Sequence, residues 1–314
     1  MEGRVALVTG ASRDGTGRSV AVRFAAEGAK VGITARSEAG LESALAAIEE
    51  VGGTALVLPC DLGDPDGGRD TLVARTEEAF GPIDVLVNNA VAAGFKRVED
   101  WTLEELDHYQ QVNVWAPWIL MAQVLPGMRE RRRGWILNLT SASAELPPGP
   151  PFLQVARDGY ASYGATKASI NRLTVAAAAE NEDVGIAVNA LSPQASIAKP
   201  SMGSLEVMQK AAGRDDVMDL FEPVETMAEA ALALCTGDPA VLTGRIAYSL
   251  QLILELDRPV YDLSGTALVE GSQPADLPKK IRGQIEFHLT TGGPDRTAFD
   301  RVWTPLPALV PPPP

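Results

Sequence analysis

Two side chains four residues apart, Tyr163 and Lys167, could together transfer a proton. The surrounding segment predicts a helix over 161–181, on which positions i and i+4 lie on one face. A free phenol has a pKa of about 10, so only about one part in a thousand is ionised at neutral pH. A neighbouring ammonium favours the phenolate, so we expect Lys167 to lower the pKa of Tyr163 and make it a general acid or base. The pair alone is also common on helices for structural reasons.

Two further polar residues strengthen the chemical interpretation. Ser141 follows a strand predicted over 135–139, and its hydroxyl could hold the oxygen of a substrate carbonyl. Asn113 lies between Val112 and Val114, so its side chain is expected to be buried and to need a partner. We expect a chain of water molecules to connect Asn113 to Lys167.

Short apolar runs alternate with amphipathic stretches, which predicts the elements that position these side chains. Strand and helix in strict alternation, with strands apolar on both faces, indicate a parallel sheet covered on both sides. The predicted fold class is therefore α/β, a doubly wound parallel sheet. The predicted strands are 5–8, 30–35, 54–59, 83–87, 135–139, 185–191 and, last, 241–247. The predicted helices are 17–27, 41–51, 70–80, 103–129, 161–181 and 225–234.

A glycine-rich turn connects the first strand to the first helix. It runs from Thr9 to Gly17 and contains Gly10 and Gly15. Glycines in this position let a pyrophosphate approach the backbone N–H groups at the positive end of the helix. In this strand-to-helix context the turn predicts a dinucleotide site.

The second strand ends in Ala35-Arg36-Ser37, where an enzyme that binds the ribose hydroxyls of NAD carries an acid. Arg36, together with Arg13 of the glycine turn, instead offers guanidinium donors that suit a 2′-phosphate. We therefore expect NADP(H) to be favoured over NAD(H).

Two further motifs follow the third and fourth strands. Asp61, after the third strand, is placed to accept a hydrogen bond from an adenine amino group. The sequence Asn88-Asn89-Ala90 ends the fourth strand at the ligand-binding edge of the sheet.

The order and context of these motifs resemble the short-chain dehydrogenase/reductase family, from Arg4 to about Ala247. The sequence Asn189-Ala190-Leu191-Ser192-Pro193 after the sixth strand belongs to the same resemblance. The resemblance implies a Rossmann-type domain, hydride transfer between nicotinamide and a carbinol carbon, no metal, and a homotetramer or homodimer.

It also implies a role for each matching residue. Tyr163 would give or take the proton, Ser141 would polarise the carbonyl, Lys167 would bind the nicotinamide ribose, and Asn113 would hold a relay water. The implied cofactor contacts are Gly10, Ser12, Arg13, Gly15, Thr16, Gly17, Arg36, Asp61, Leu62, Asn89, Ala90, Tyr163, Lys167, Pro193 and Ser196.

The chain departs from the family pattern at four places. The glycine turn carries an additional residue, Asp14, and two usual glycines are replaced by Val91 and Gln194. A proline-rich insertion over 146–151 lengthens the interval between Ser141 and Tyr163, and we expect it to form a wall of the substrate pocket.

Outside the predicted sheet, two regions have a different composition. The alternation is lost over 194–222, a methionine-containing stretch that we interpret as a substrate lid. Beyond residue 256 the chain is rich in proline, glycine and charge. We therefore predict one domain over 1–256, with its lid, and a C-terminal extension over 257–314.

Composition excludes several classes of function. Lys plus Arg number 27 and Asp plus Glu 41, so the net charge of −14 disfavours nucleic acids and anionic membranes as partners. No stretch approaches the roughly 18 apolar residues of a membrane helix. With two cysteines and no signal-peptide pattern, the chain is expected in the reducing cytoplasm.

Three functions remain open. The first is an NADP(H)-dependent carbonyl reductase or alcohol dehydrogenase for mostly apolar small molecules. The second is a catalytically silent NADP-binding sensor or scaffold, which the intact set Asn113, Ser141, Tyr163 and Lys167 disfavours. The third is a reductase of 3-oxoacyl groups tethered to a carrier protein, which the negative net charge disfavours because such a carrier is acidic.

Overall fold

The computed structural model of the chain describes residues 1–146, 157, 159–194, 196–197, 221–278 and 281. Most of the predicted lid, the proline-rich insertion from 147 onward and the end of the extension lie outside these ranges.

Seven of the described strands form one parallel sheet in the order β3-β2-β1-β4-β5-β6-β9. They are β1 (Val5–Thr9), β2 (Lys30–Ala35), β3 (Thr54–Pro59), β4 (Val85–Asn88), β5 (Gly134–Leu139), β6 (Ile186–Ser192) and β9 (Ile246–Tyr248). Two short strands, β7 (Ser196–Ile197) and β8 (Phe221–Glu222), pair separately. The strand order reverses direction between β1 and β4, and a crevice at such a switch point binds ligands in open α/β sheets.

Helices cover both faces of the sheet, which confirms the predicted doubly wound fold. They are α1 (Thr16–Ala26), α2 (Glu38–Glu50), α3 (Leu72–Phe80), α4 (Leu103–Gln110), α5 (Ala116–Arg131), α6 (Ala161–Ala179), α7 (Val224–Thr236) and α8 (Ser249–Glu255). One core lies between the sheet and α1, α2, α7 and α8. A second lies between the sheet and α3, α5 and α6. Ala6 and Val8 of β1 enter the first core and Leu7 the second, as the alternation of a strand requires.

The predicted last strand over 241–247 is displaced, since β9 begins only at Ile246. Gly244 adopts a left-handed conformation (φ +70°), which interrupts the extended chain. The residues before β9 contact β6 through both backbone and side chains: Gly244 N donates to Val188 O at 2.9 Å. Thr243 Oγ1 accepts a hydrogen bond from Val188 N at 3.1 Å, and Asn189 Nδ2 donates to Leu242 O at 2.8 Å.

The described part of the extension packs on the first core. Val260 and Leu277 are fully buried there. The buried carboxylate of Glu229 on α7 accepts hydrogen bonds from Arg23 Nε of α1 at 2.6 Å and from Arg258 Nε at 3.0 Å. These two ion pairs of Glu229 connect the start of the extension to α1 and α7. The domain boundary at residue 256 stays a prediction. Within the described ranges, no helix combines the length and apolar character needed to cross a membrane.

Candidate active site

The glycine turn lies at the carboxyl end of β1 and is fixed by the end of β4. Thr9 Oγ1 accepts hydrogen bonds from Asn89 N at 2.9 Å and from Ala90 N at 3.0 Å. In return Asn89 Nδ2 donates to Thr9 O at 2.8 Å and to Gly10 O at 3.1 Å. The predicted cofactor residues Gly10, Asn89 and Ala90 are therefore brought together. Thr9 is a positioning residue that the sequence analysis did not single out.

Two glycines of this turn are required by close packing of the backbone. A Cβ atom on Gly10, which has φ +71°, would lie 2.7 Å from Ala90 Cα. A Cβ atom on Gly17 would lie 2.5 Å from Gly10 O. Both separations are well below ordinary contact distances, so a side chain at either position would force the turn away from β4.

The amino terminus of α1 is suited to an anion. Its N-cap residue is Gly15, no side chain caps the helix, and its first turn contains no acidic residue. The first N–H groups of the helix therefore lack a capping acceptor and lie at the positive end of the helix dipole. Ser12 and Thr16 are half-buried beside this end, whereas Arg13 and the additional Asp14 are exposed. These features fit the pyrophosphate of a dinucleotide.

Arg36 and Asp61 meet at the carboxyl ends of β2 and β3. Arg36 Nη1 lies 3.9 Å from Asp61 Oδ2, and both side chains are largely exposed. Asp61 Oδ1 also accepts a hydrogen bond from Gly63 N at 2.9 Å, while the adjacent Leu62 is buried. A long ion pair in solvent contributes little energy, so the guanidinium of Arg36 remains available to a ligand.

Ser141 and Tyr163 form the centre of the predicted catalytic set. Ser141 follows β5 and Tyr163 lies in the first turn of α6. Ser141 Oγ accepts hydrogen bonds from Ser143 Oγ at 3.0 Å and from Ser143 N at 3.2 Å. A hydroxyl that accepts twice still has its own proton to donate. This proton is the one available for the Tyr163 oxygen, with which Ser141 makes a hydrogen bond.

The electrostatics of Tyr163 differ from the prediction. Burial raises the pKa of Tyr163 above its ordinary value, and the hydrogen bond with Ser141 opposes that rise. The expected lowering of this pKa by Lys167 is therefore wrong. Burial is the largest cause of the raised pKa of Tyr163, while Lys167 Nζ donates to Leu139 O at 2.6 Å and lies 5.8 Å from the centroid of the Tyr163 ring.

Lys167 is almost completely buried. Burial penalises its ammonium form and lowers its pKa to about 8. Near neutral pH a side chain of this kind exchanges a proton with little cost in free energy, which suits a group that passes protons between a tyrosine and solvent.

The lowered pKa of Lys167 predicts a pH-dependent stability. Because the folded chain binds this proton more weakly than the unfolded chain, stability rises with pH between the folded value of about 8 and the unfolded value of about 10.5. From about pH 7.5 to about pH 9.5 we expect this residue to add about 2 kcal/mol to the free energy of unfolding.

Urea unfolding of the wild-type protein and of Lys167→Met across this range measures the effect. The variant should lack the rise, so the difference between the two free energies should change with pH. Lys30→Met, at an exposed position, is the matched control and should keep the rise. Parallel curves for wild type and Lys167→Met would contradict this prediction.

Asn113 is buried, as expected, but its partners are protein groups. It lies in a π-helical turn (Gln111–Trp115) between α4 and α5. Its Nδ2 donates to Ala92 O at 2.8 Å and to Thr166 Oγ1 at 3.1 Å, and its Oδ1 accepts from Ala92 N at 2.8 Å. Protein groups therefore satisfy both donors and one acceptor position of this side chain, and the chain of water molecules to Lys167 stays a prediction. Thr166 itself donates to Tyr163 O at 2.8 Å, so Asn113 positions the turn that carries Tyr163.

At the end of β6, Pro193 is half-buried and Gln194 replaces the usual glycine. Gln194 N donates to Ser249 Oγ at 3.0 Å, and this hydroxyl donates to the buried Glu222 Oε2 at 2.6 Å. The two ends of the predicted lid are therefore connected through α8. Ser196 lies in β7, and its side chain is outside the described residues, as is the lid itself over 198–220.

Comparisons with known proteins agree with this arrangement. The family model described as short chain dehydrogenase matches residues 4–202. A short chain dehydrogenase of Pseudocercospora fijiensis is 36% identical over 196 residues, which are 62% of this chain and 60% of that protein. The dehydrogenase/reductase SDR family member 4 of Homo sapiens is 32% identical over 275 residues, which are 87% of this chain and 88% of that protein.

Among solved structures, a metagenomic short-chain oxidoreductase in complex with NADP is 28% identical, with a TM-score of 0.62. The match covers 79% of this chain and 98% of that chain. The chain belongs to the short-chain dehydrogenase family. It is therefore an oxidoreductase of a family that binds NAD(P) and small-molecule substrates.

Proposed function

We propose that the protein is an NADP(H)-dependent oxidoreductase for mostly apolar small molecules. It would transfer a hydride from NADPH to the carbonyl carbon of a ketone, or from the carbinol carbon of a secondary alcohol to NADP⁺. The observation that carries this proposal is the contact between Ser141 and Tyr163, with the buried Lys167 beside it, at the sheet edge that holds the glycine turn.

In the reducing direction, bound NADPH supplies the hydride. Ser141 would donate a hydrogen bond to the carbonyl oxygen, keep its own proton and so polarise the carbonyl, while Ser143 fills the acceptor positions of Ser141. Tyr163 gives its proton to the same oxygen, and the alcohol is the product. A raised pKa keeps Tyr163 protonated in the free protein and ready to act as the acid in this direction.

The residues that would hold NADP(H) are the predicted cofactor contacts. The amino terminus of α1 would bind the pyrophosphate, Arg36 and Arg13 the 2′-phosphate, and Lys167 the nicotinamide ribose. The structural relative in complex with NADP supports this choice of cofactor.

The test is the loss of NADPH absorbance with a panel of ketones and aldehydes, with NADH in parallel. We expect turnover of apolar ketones and a higher kcat/KM with NADPH than with NADH. Tight NADPH binding without turnover of any substrate would favour the sensor or scaffold function instead.

A further inference from the structure

An aromatic cluster lies against the catalytic tyrosine. The Phe95 ring is stacked at a tilt on Tyr160, with their centroids 4.5 Å apart. It also meets the Tyr163 ring edge to face, at a centroid distance of 6.1 Å and an interplanar angle of 78°. Both distances fall in the range of favourable aromatic pairs. Phe95 and Tyr160, which we call the aromatic wall, come from two different loops.

The two loops of the aromatic wall are fixed to each other by their backbones. Lys96 N donates to Gly159 O at 3.2 Å. A Cβ atom on Gly159 would lie 2.6 Å from Lys96 N, so the two chains approach as closely as a glycine permits. The Lys96 ammonium also pairs with Glu105 of α4, and the Trp101 indole donates to Lys96 O at 3.3 Å.

Phe95 remains 52% exposed despite this rigid support. Val91, where the family pattern has glycine, is also exposed on the same loop. An exposed, well-positioned ring beside a catalytic group presents apolar surface that a ligand could bury, and ligand pockets are lined mainly by such apolar and aromatic side chains.

We propose that the aromatic wall determines substrate class: it binds a flat apolar ring attached directly to the reacting carbon, as in aryl ketones and aryl carbinols. This proposal rests on the proposed function. The substrate oxygen must come within hydrogen-bond distance of Tyr163 and Ser141. A ring bonded to the same carbon would then lie close to Tyr163, whose own ring is in edge-to-face contact with the half-exposed Phe95.

The experiment compares acetophenone with 2-octanone, two ketones of equal carbon count. Phe95→Ala should lower kcat/KM for acetophenone about tenfold, mainly through a higher KM, since the ring contact is made in both ground and transition states. The loss for 2-octanone should be clearly smaller. Val98→Ala is the matched control, because Val98 is an exposed apolar residue at the start of the short 3-10 helix that follows this loop, and it takes no part in the two ring contacts.

Equal losses for the two ketones in Phe95→Ala would overturn the proposal. A second measurement keeps it separate from the proposed function: the affinity for 1-phenylethanol, measured by NMR titration without turnover. A roughly tenfold weaker affinity in Phe95→Ala supports the aromatic wall even if no ketone is reduced, and an unchanged affinity refutes it even if ketones are reduced.

Discussion

Replacing Tyr163 by phenylalanine is expected to lower kcat for ketone reduction by about 10²–10⁴-fold, the usual cost of removing a general acid. The variant retains the ring and its edge-to-face contact with Phe95, and loses only the hydroxyl that bonds to Ser141. Because the hydroxyl makes a hydrogen bond with Ser141, its removal should lower the free energy of unfolding by about one hydrogen bond, about 1 kcal/mol.

Steady-state kinetics measures the loss of kcat, and a fluorescence titration measures the affinity for NADPH. The affinity for NADPH should stay within about threefold of wild type, since the proton donor is not among the residues expected to hold the phosphates. Tyr261→Phe makes the same chemical change in the extension and should leave kcat unchanged. A wild-type kcat in Tyr163→Phe would remove this residue from the chemistry.

The sheet and its helices could be predicted because their determinants are local. Strands such as β1 and β5 are fully buried and mostly apolar, and each alternates with an amphipathic helix. The last strand could not be located because the left-handed Gly244 and the side-chain contacts of Asn189 with residues before β9 depend on the neighbouring strand. Likewise the predicted single helix over 103–129 is continuous, but its π-helical turn at Asn113 is visible only in the structure.

The proximity of the predicted catalytic residues could be inferred from residue type and spacing, whereas their electrostatics could not. The four-residue spacing of Tyr163 and Lys167 predicts proximity, but the direction of the Tyr163 pKa depends on burial and on where the Lys167 ammonium donates. Thr9, Thr166 and Phe95 were missed for the same reason. Each acts through a partner distant in sequence, and such contacts leave no periodic signal in the chain.

Changing Arg36 to aspartate is expected to reverse the preference between the two nicotinamide cofactors. Charge-assisted hydrogen bonds to a phosphate contribute about 1.5–3 kcal/mol, so their loss should weaken NADPH binding about 10- to 150-fold. The new carboxylate repels the 2′-phosphate and could accept hydrogen bonds from the ribose hydroxyls of NADH, so NADH binding should be retained or improved. The pair with Asp61 at 3.9 Å is largely exposed, and losing it should cost little stability.

Titration of both cofactors at one fixed ionic strength measures this change, because the attraction between an exposed arginine and a phosphate is screened by salt. Arg133→Asp is the matched control. The Arg133 side chain is 51% exposed and lies 3.6 Å from Asp84, but Arg133 precedes β5, at the amino ends of the parallel strands and away from the predicted cofactor site. Both variants change the net charge by the same amount, so a difference in their NADPH affinity must come from the position of the substituted residue. Equal losses for NADPH and NADH in Arg36→Asp would show that Arg36 does not bind the 2′-phosphate, and the choice of cofactor would then have to come from another part of the site.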